Sequence, residues 1–174
     1  MPTSMPASSC PVDSAGSRIR VEVVERGGVR SVLTAEAIVA GSVILEVTGV
    51  RVNTPSKYSV QVDERTHIDL PLVEALALDP VQHPWRFLNH SCQPNATLRG
   101  VKLVALRDLA RGAEVTFDYN TTEYEMATPF TCGCGACSGS TIRGFKFLSA
   151  ERQRDMYPRL ADHLRQKVDG FGEG

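Results

Sequence analysis

Three cysteines crowd into one short segment, Cys132-Gly133-Cys134-Gly135-Ala136-Cys137. Thiolates this close, separated by glycines that let the backbone wrap tightly, suit one metal ion better than a set of disulfides in a reducing compartment. A closed tetrahedral zinc site needs one more ligand. The candidates are Cys10, in a Pro- and Ser-rich stretch, and Cys92, inside the polar string Asn89-His90-Ser91-Cys92-Gln93-Pro94-Asn95. Cys92 is the better choice, which gives the ligand set Cys92, Cys132, Cys134 and Cys137. A redox pair at Cys134 and Cys137 with two buried free thiols is the competing reading. It is disfavoured because such a pair normally opens a helix, which the surrounding glycines do not favour. Four protein ligands leave a zinc ion no open position, so the metal is structural, not the catalyst.

The chain that positions these residues is 174 long, room for one globular domain and no second one. Hydrophobic residues at 42% and charged residues at 22% are ordinary globular usage, so a packed core is expected and wholesale disorder is not. Lys and Arg total 19 against 20 Asp and Glu, which argues against a protein that binds nucleic acid by neutralising phosphates. No direct nucleic-acid contact is therefore expected. The first residues lack a secretory pattern, and no apolar run approaches the roughly 20 residues that span a bilayer. A soluble, intracellular protein with no membrane partner is expected, cytoplasmic or nuclear.

Residues 1–17 hold three Pro and five Ser, which predicts a flexible leader before a fold beginning at Arg18. Period-two alternation predicts a strand from Ile19 to Val24, broken at Gly27-Gly28. A β-branched run from Val43 to Val52 predicts one long strand, and Tyr58 to Val62 a third. Pro71 to Leu78 suits a short helix ending before Pro80. Ala96–Arg99 and Lys102–Ala105 flank Gly100-Val101 as a hairpin. Ile38-Val39-Ala40-Gly41 is echoed by Leu109-Ala110-Arg111-Gly112, so two similar bends feed the strands Val43–Val47 and Glu114–Asp118. Met156, Leu160, Leu164 and Val168 mark one helical face, with Pro158 dividing the segment. The expectation is a mainly β domain with short peripheral helices. No alternating strand–helix units and no Gly-x-Gly-x-x-Gly after a strand point to a doubly wound fold.

Taken together, Arg86-Phe87-Leu88-Asn89-His90-Ser91-Cys92-Gln93-Pro94-Asn95, Glu114-Val115-Thr116-Phe117-Asp118-Tyr119-Asn120 and the cysteine cluster strongly resemble the SET-domain lysine methyltransferases, in order and in spacing. Arg26-Gly27-Gly28-Val29-Arg30 resembles the family's opening cofactor loop, and Cys132–Cys137 its zinc-binding post-SET segment. The resemblance covers about residues 18–148. It implies a β-clip fold of small curved sheets with a threaded, knot-like C-terminal segment. The implied division is a SET domain over 18–125, a post-SET zinc segment over 126–148 and a C-terminal helical tail over 149–174.

The resemblance further implies S-adenosyl-L-methionine on one face and a substrate amine entering from the other. Tyr119 is then the channel tyrosine, whose hydroxyl orients methyl group and nitrogen, while Arg26, Gly27, Gly28, Arg86, Phe87, Asn89 and His90 bind the cofactor. Phe117 and Val47 belong to the substrate channel. Methyl transfer from a sulfonium to a neutral amine is an in-line displacement, so alignment in a dry channel does most of the work. Burial beside a cationic sulfonium lowers the amine pKa from about 10.4, so no dedicated base is needed.

Three departures from the family's pattern bear on substrate. Arg26 stands where a loop glycine is usual, Val47 replaces a second channel tyrosine, and no cysteine-rich pre-SET segment precedes the first strand, with only a short stretch from Asp69 to Trp85. Cysteine spacing is also contracted, to C-x-C-x2-C. Phe117, at the position where family members carry Phe or Tyr, implies di- or trimethylation. The leading reading is a lysine N-methyltransferase acting on a protein or peptide, with a histone tail as one candidate. The alternatives are methylation of a free amino acid or small amine, and a non-catalytic zinc module that binds a partner. Asp118, Glu123 and Glu125 could attract a basic tail, but a solvated charged face is the plainer reading.

Overall fold

A computed structural model describes residues 19–170, so the proposed leader, with Cys10, lies outside the described residues, as do the last four residues of the tail. The described residues form five small sheets. Strands β1 (Val21–Arg26) and β2 (Val29–Thr34) form an antiparallel hairpin, closed by Gly27 and Gly28, both at positive φ. Strands β3 (Val43–Glu46), β8 (Ala96–Arg99) and β9 (Lys102–Ala105) form a sheet in the order β3-β9-β8. Strands β4 (Val50–Val52), β5 (Val60–Gln61) and β6 (His67–Asp69) form another in the order β4-β6-β5. No described helix is long and apolar enough to cross a membrane.

The run Val43–Val52 is not the single strand its β-branched residues predict. It divides at Gly49 into β3 and β4, which belong to different sheets. Gly49 has φ +150°, and a Cβ there would lie 2.2 Å from the Asp69 carbonyl oxygen. Composition favours strand on both sides, but only a residue without a side chain lets the chain pass so close to β6. The two echoed bends pair with each other: Ile38 and Leu109 exchange both backbone hydrogen bonds, at 2.9 and 2.8 Å. Gly41 and Gly112 close the two bends at φ +84° and +81°.

Strand β7 (Asn89–His90) lies parallel to β10 (Thr116–Phe117), with Asn89 opposite Thr116 and His90 opposite Phe117. This pairing brings together two polar strings separated by a hairpin. β11 (Phe130–Thr131) and β12 (Thr141–Ile142) hold the cysteine segment between them. The main core gathers side chains from most of these sheets, among them Val32, Ile44, Leu98, Leu103 and Val115. Helix α1 (Leu72–Leu76) buries none of its residues and stays at the periphery.

The C-terminal segment is divided at Pro158, as expected. Helix α2 (Ala150–Asp155) ends before a 3-10 turn over Tyr157–Arg159, and α3 (Asp162–Asp169) follows. The four-residue recurrence nevertheless keeps one face: Met156, Leu160 and Leu164 are fully buried with Phe145 in a second, smaller core. Thr97 and Arg99 of β8 donate to carbonyls of Arg159, Leu160 and Pro158, which fastens this segment to the central sheet.

Candidate active site

The β7–β10 pair positions the chemistry. His90 is buried between its two neighbours: its Nδ1 accepts the Tyr119 backbone N–H at 3.1 Å, and its Nε2 lies 3.3 Å from the Cys92 sulfur. With Nδ1 accepting, the network assigns the proton to Nε2. Burial lowers the His90 pKa, the Asp118 carboxylate opposing this, so the neutral ring is favoured. The ring also meets Tyr119 and Phe130 edge-on, with centroids 5.3 and 5.8 Å away.

Tyr119 opens a 3-10 turn over residues Tyr119–Thr121 that Asp118 caps, its Oδ1 accepting from the Asn120 backbone at 3.0 Å. The Tyr119 hydroxyl donates to the Leu88 carbonyl at 2.6 Å. Burial, with the Glu123 and Glu114 charges adding, pushes its pKa well above the ordinary tyrosine range. The phenol is a fixed hydrogen-bonding group, not a base. The Asn89 side chain donates to the Arg30 carbonyl, the Ser31 hydroxyl and the Glu114 carboxylate, at 2.9 to 3.1 Å, and so ties β7 to β2 and to the start of the Asp-Tyr string.

A cavity of about 950 Å³ lies over this pair, large enough for a nucleoside-sized ligand. Arg86, Asn89, His90 and Tyr119 all line it. A much narrower channel of about 60 Å³ shares Lys57, Tyr58, Arg86, Leu88, Tyr119 and Met126 with it, and adds Phe117, Trp85 and Glu123. Tyr119 therefore stands where a wide chamber meets a slot. Of the other expected residues, Gly27 and Gly28 form the β1–β2 turn beside Arg26 and line neither space; Phe87 is packed in the core with the Arg30 guanidinium 5.3 Å from its ring centroid. Val47 is a core residue, with its N–H on the Val101 carbonyl, and lines neither space. Asp118 and Glu123 are not a solvated face: both are buried, and only Glu125 is exposed, paired with Lys146.

Residues the sequence reading passed over include Tyr58, Glu114, Thr116, Met126 and Phe130. Glu114 and Thr116 stand inside the recognised string Glu114–Asn120, where they were given no role, and Phe130 lies two residues before Cys132, so strand alternation around Phe117 and the approach to Cys132 carried a signal. Tyr58 and Met126 come from distant segments and carried none.

Cys92, Cys132, Cys134 and Cys137 bring their sulfurs within 4.8 Å of one another, and the Cys92 and Cys132 sulfurs are 3.8 Å apart. Zn–S bonds of about 2.3 Å in a tetrahedron put sulfurs about 3.8 Å apart, so the set fits zinc. The Cys92 and Cys134 backbone N–H groups point at Cys134 and Cys132 sulfurs, at 3.5 and 3.4 Å. The first of these contacts draws the Cys134 thiol down to about 6 and backbone N–H groups lower Cys137, while burial raises Cys92 and Cys132, so the metal itself must supply the charge that ionises those last two thiols. Cys132, Gly133 and Cys134 also line the large cavity, so the cysteine cluster builds one of its walls.

The family model described as SET domain matches residues 29–120. A histone-lysine N-methyltransferase, H3 lysine-4 specific, from Chaetomium globosum is 35% identical over 96 residues, which is 48% of this chain and 8% of that protein. One of the same description from Saccharomyces cerevisiae is 31% identical over 130 residues, 60% of this chain and 11% of that protein. An H3 lysine-36 specific enzyme from Schizosaccharomyces pombe is 34% identical over 92 residues, 48% of this chain and 11% of that one. The chain thus spans about a tenth of the length of these relatives. Among solved structures, KRYPTONITE in complex with mCHG DNA and SAH superposes with a TM-score of 0.52 at 26% identity, over 70% of this chain and 29% of that one.

Proposed function

The chain belongs to the SET domain family, and from this we infer that it is an S-adenosyl-L-methionine-dependent N-methyltransferase whose acceptor is a lysine side chain of a protein. The observation that carries this reading is the place of Tyr119, at the junction of a chamber sized for a nucleoside and a slot sized for an alkyl amine, with its hydroxyl pinned to the Leu88 carbonyl. S-adenosyl-L-methionine, when bound, supplies an electrophilic methyl group on a sulfonium. The SAH in the KRYPTONITE complex and the histone specificity of the relatives support the assignment of cofactor and acceptor class.

In this reading Arg86, Asn89 and His90 hold the cofactor from the chamber wall, whereas Arg26, Gly27, Gly28 and Phe87, which line neither space, act on it only through the β1–β2 turn and the core. Arg86 is itself fixed by Asp69 at 2.8 Å. Phe117 and Tyr119 flank the slot and exclude water from the attacking nitrogen. Tyr119 orients nitrogen and methyl group for in-line attack and takes up no proton. The amine sheds its proton before attack, aided by desolvation and the adjoining sulfonium. Residues 18–125 form the catalytic unit, 126–148 a zinc segment that closes the chamber, and 149–174 a supporting tail. Histone acceptors imply a nuclear protein.

The test is calorimetry with S-adenosyl-L-methionine, followed by transfer of a radiolabelled methyl group to histone H3 and to a panel of lysine peptides and small amines. Cofactor binding with label on a peptide lysine is expected. Cofactor binding with label on free amines alone moves the acceptor to small molecules, and no cofactor binding overturns the assignment of an enzyme.

A further inference from the structure

Glu123 is buried, 7% exposed, at the wall of the narrow slot, and it is the one acidic side chain among the residues lining it. Its Oε1 accepts the Gln61 backbone N–H at 2.7 Å and, more weakly, the Thr122 hydroxyl at 3.4 Å. Its Oε2 has only the His67 Nε2 nearby, at 3.5 Å, and neither ring nitrogen of His67 makes a hydrogen bond among the described residues. The carboxylate is thus held rigidly by one oxygen and left short of donors at the other.

The local frame explains why it cannot turn away. The Glu123 backbone N–H donates to the Tyr119 carbonyl at 2.9 Å, and its carbonyl accepts from Phe145 at 2.8 Å. The Gln61 side chain returns to the Tyr124 N–H at 2.8 Å. The cations at the slot are otherwise placed: Arg86 is bonded to Asp69 and lies over Tyr58, and exposed Lys57 lies over the same ring. A buried carboxylate with an unfilled acceptor site favours a cationic N–H donor.

We propose that Glu123 is the substrate-binding group that anchors the target ammonium in the slot, so that the chain selects a cationic primary amine over neutral side chains of the same length. This rests on the methyltransferase reading above and adds a selecting residue to it. Each N–H replaced by a methyl group removes a donor to Oε2, so the anchor holds unmodified lysine more strongly than dimethyl-lysine. Because the carboxylate stabilises the ammonium, which must lose its proton before attack, it strengthens ground-state binding more than the transition state. Its removal should therefore act on KM more than on kcat.

The experiment uses the peptide that wild type methylates and a copy with norleucine at the target position, each titrated onto protein saturated with S-adenosylhomocysteine. Wild type should prefer lysine by about tenfold or more, the scale of a hydrogen bond to a charged group. In Glu123→Gln the preference should largely vanish and the peptide KM should rise about tenfold, with kcat and cofactor affinity little changed. Glu123→Asp should fall between the two. Equal wild-type affinity for both peptides overturns the proposal whether or not the variants fold, as does a Gln variant that keeps the full preference. A Gln variant that loses cofactor affinity and thermal stability together makes Glu123 structural and also overturns it. Failure of wild type to methylate any peptide is a separate result, and it removes the reading on which the proposal rests.

Discussion

Tyr119 and Phe117 lie two residues apart in one string, yet they answer different questions. Their rings are 4.9 Å apart, and both face the slot. Tyr119→Phe keeps the ring and loses the hydroxyl that bonds Leu88, so cofactor affinity measured by calorimetry should hold while kcat falls about 100-fold, the usual cost of small misalignment. A parallel loss of cofactor affinity would mark Tyr119 as structural. Phe117→Tyr places a hydroxyl and its attendant water in the slot, and the product distribution should move from di- and trimethyl toward monomethyl-lysine. Excluding one methyl-sized group is worth about 1–3 kcal/mol, enough to change the dominant product. Intact-mass analysis of peptide at saturating cofactor reads it directly. At this scale the sequence was most informative where the cavity lining comes from contiguous strings, as with Asn89, His90 and Tyr119. It was silent on the cavity positions of Tyr58 and Met126, and it named Glu123 only as one of three acids on a solvated face, because burial and proximity here depend on segments that meet only after folding. Val47 was expected in the channel by alignment to a family tyrosine, whereas its burial in the core leaves that position without a polar group at either cavity.

Short elements with local signals were legible: the strand before Gly27-Gly28 and the β8–β9 hairpin follow from alternation and glycine turns, and the split C-terminal helices from Pro158, whereas the return strand β2 carried no signal that was read. The break at Gly49 was not, because a β-branched run looks the same whether it serves one sheet or two. Gly49→Ala should destabilise the fold by about 2 kcal/mol or more, since the new methyl group meets the Asp69 carbonyl oxygen and the backbone sits at positive φ. Urea unfolding followed by circular dichroism checks this, and an unchanged midpoint would mean β4 can shift away from β6. Helix α3 docks through buried His163, whose Nε2 lies 2.8 Å from the Thr122 carbonyl. Burial lowers the His163 pKa below its ordinary value near 6.5, only partly offset by that carbonyl and by Glu123 and Asp63. The unfolded chain then binds more protons than the folded one below about 6.5, so stability is complete above that pH and falls as the pH drops through it toward the depressed folded value. Unfolding midpoints at pH 7.5 and 5.5 should differ, and His163→Gln should narrow the difference. A gap of the same size in the variant would assign the pH dependence to other groups.

On the scale of the whole molecule, the cysteine cluster joins distant parts of the chain. Cys92 follows β7, while Cys132, Cys134 and Cys137 lie between β11 and β12, so a bound metal ties the cavity's floor to one of its walls. Elemental analysis should give one zinc per chain, lost in Cys92→Ser and retained in Cys10→Ser. Chelation should then weaken cofactor binding, because the Cys132–Cys134 wall is no longer held against the chamber. Loss of metal in the Cys10 variant would reassign the fourth ligand. The mainly β architecture was legible in the alternating and β-branched runs, and the small curved sheets were implied by the family resemblance of the two polar strings. The separate second core and the parallel β7–β10 register were not legible, since they arise from close backbone approaches and long-range packing that no local pattern records. The proposed function is methyl transfer to a lysine in the slot beside Tyr119. The most direct test is intact-mass spectrometry of lysine peptides, histone H3 tails included, incubated with the zinc-loaded protein and S-adenosyl-L-methionine. Stepwise methyl-mass increments that disappear when the target lysine is replaced by arginine are the expected result; peptide masses that stay unchanged although the cofactor is bound would contradict it.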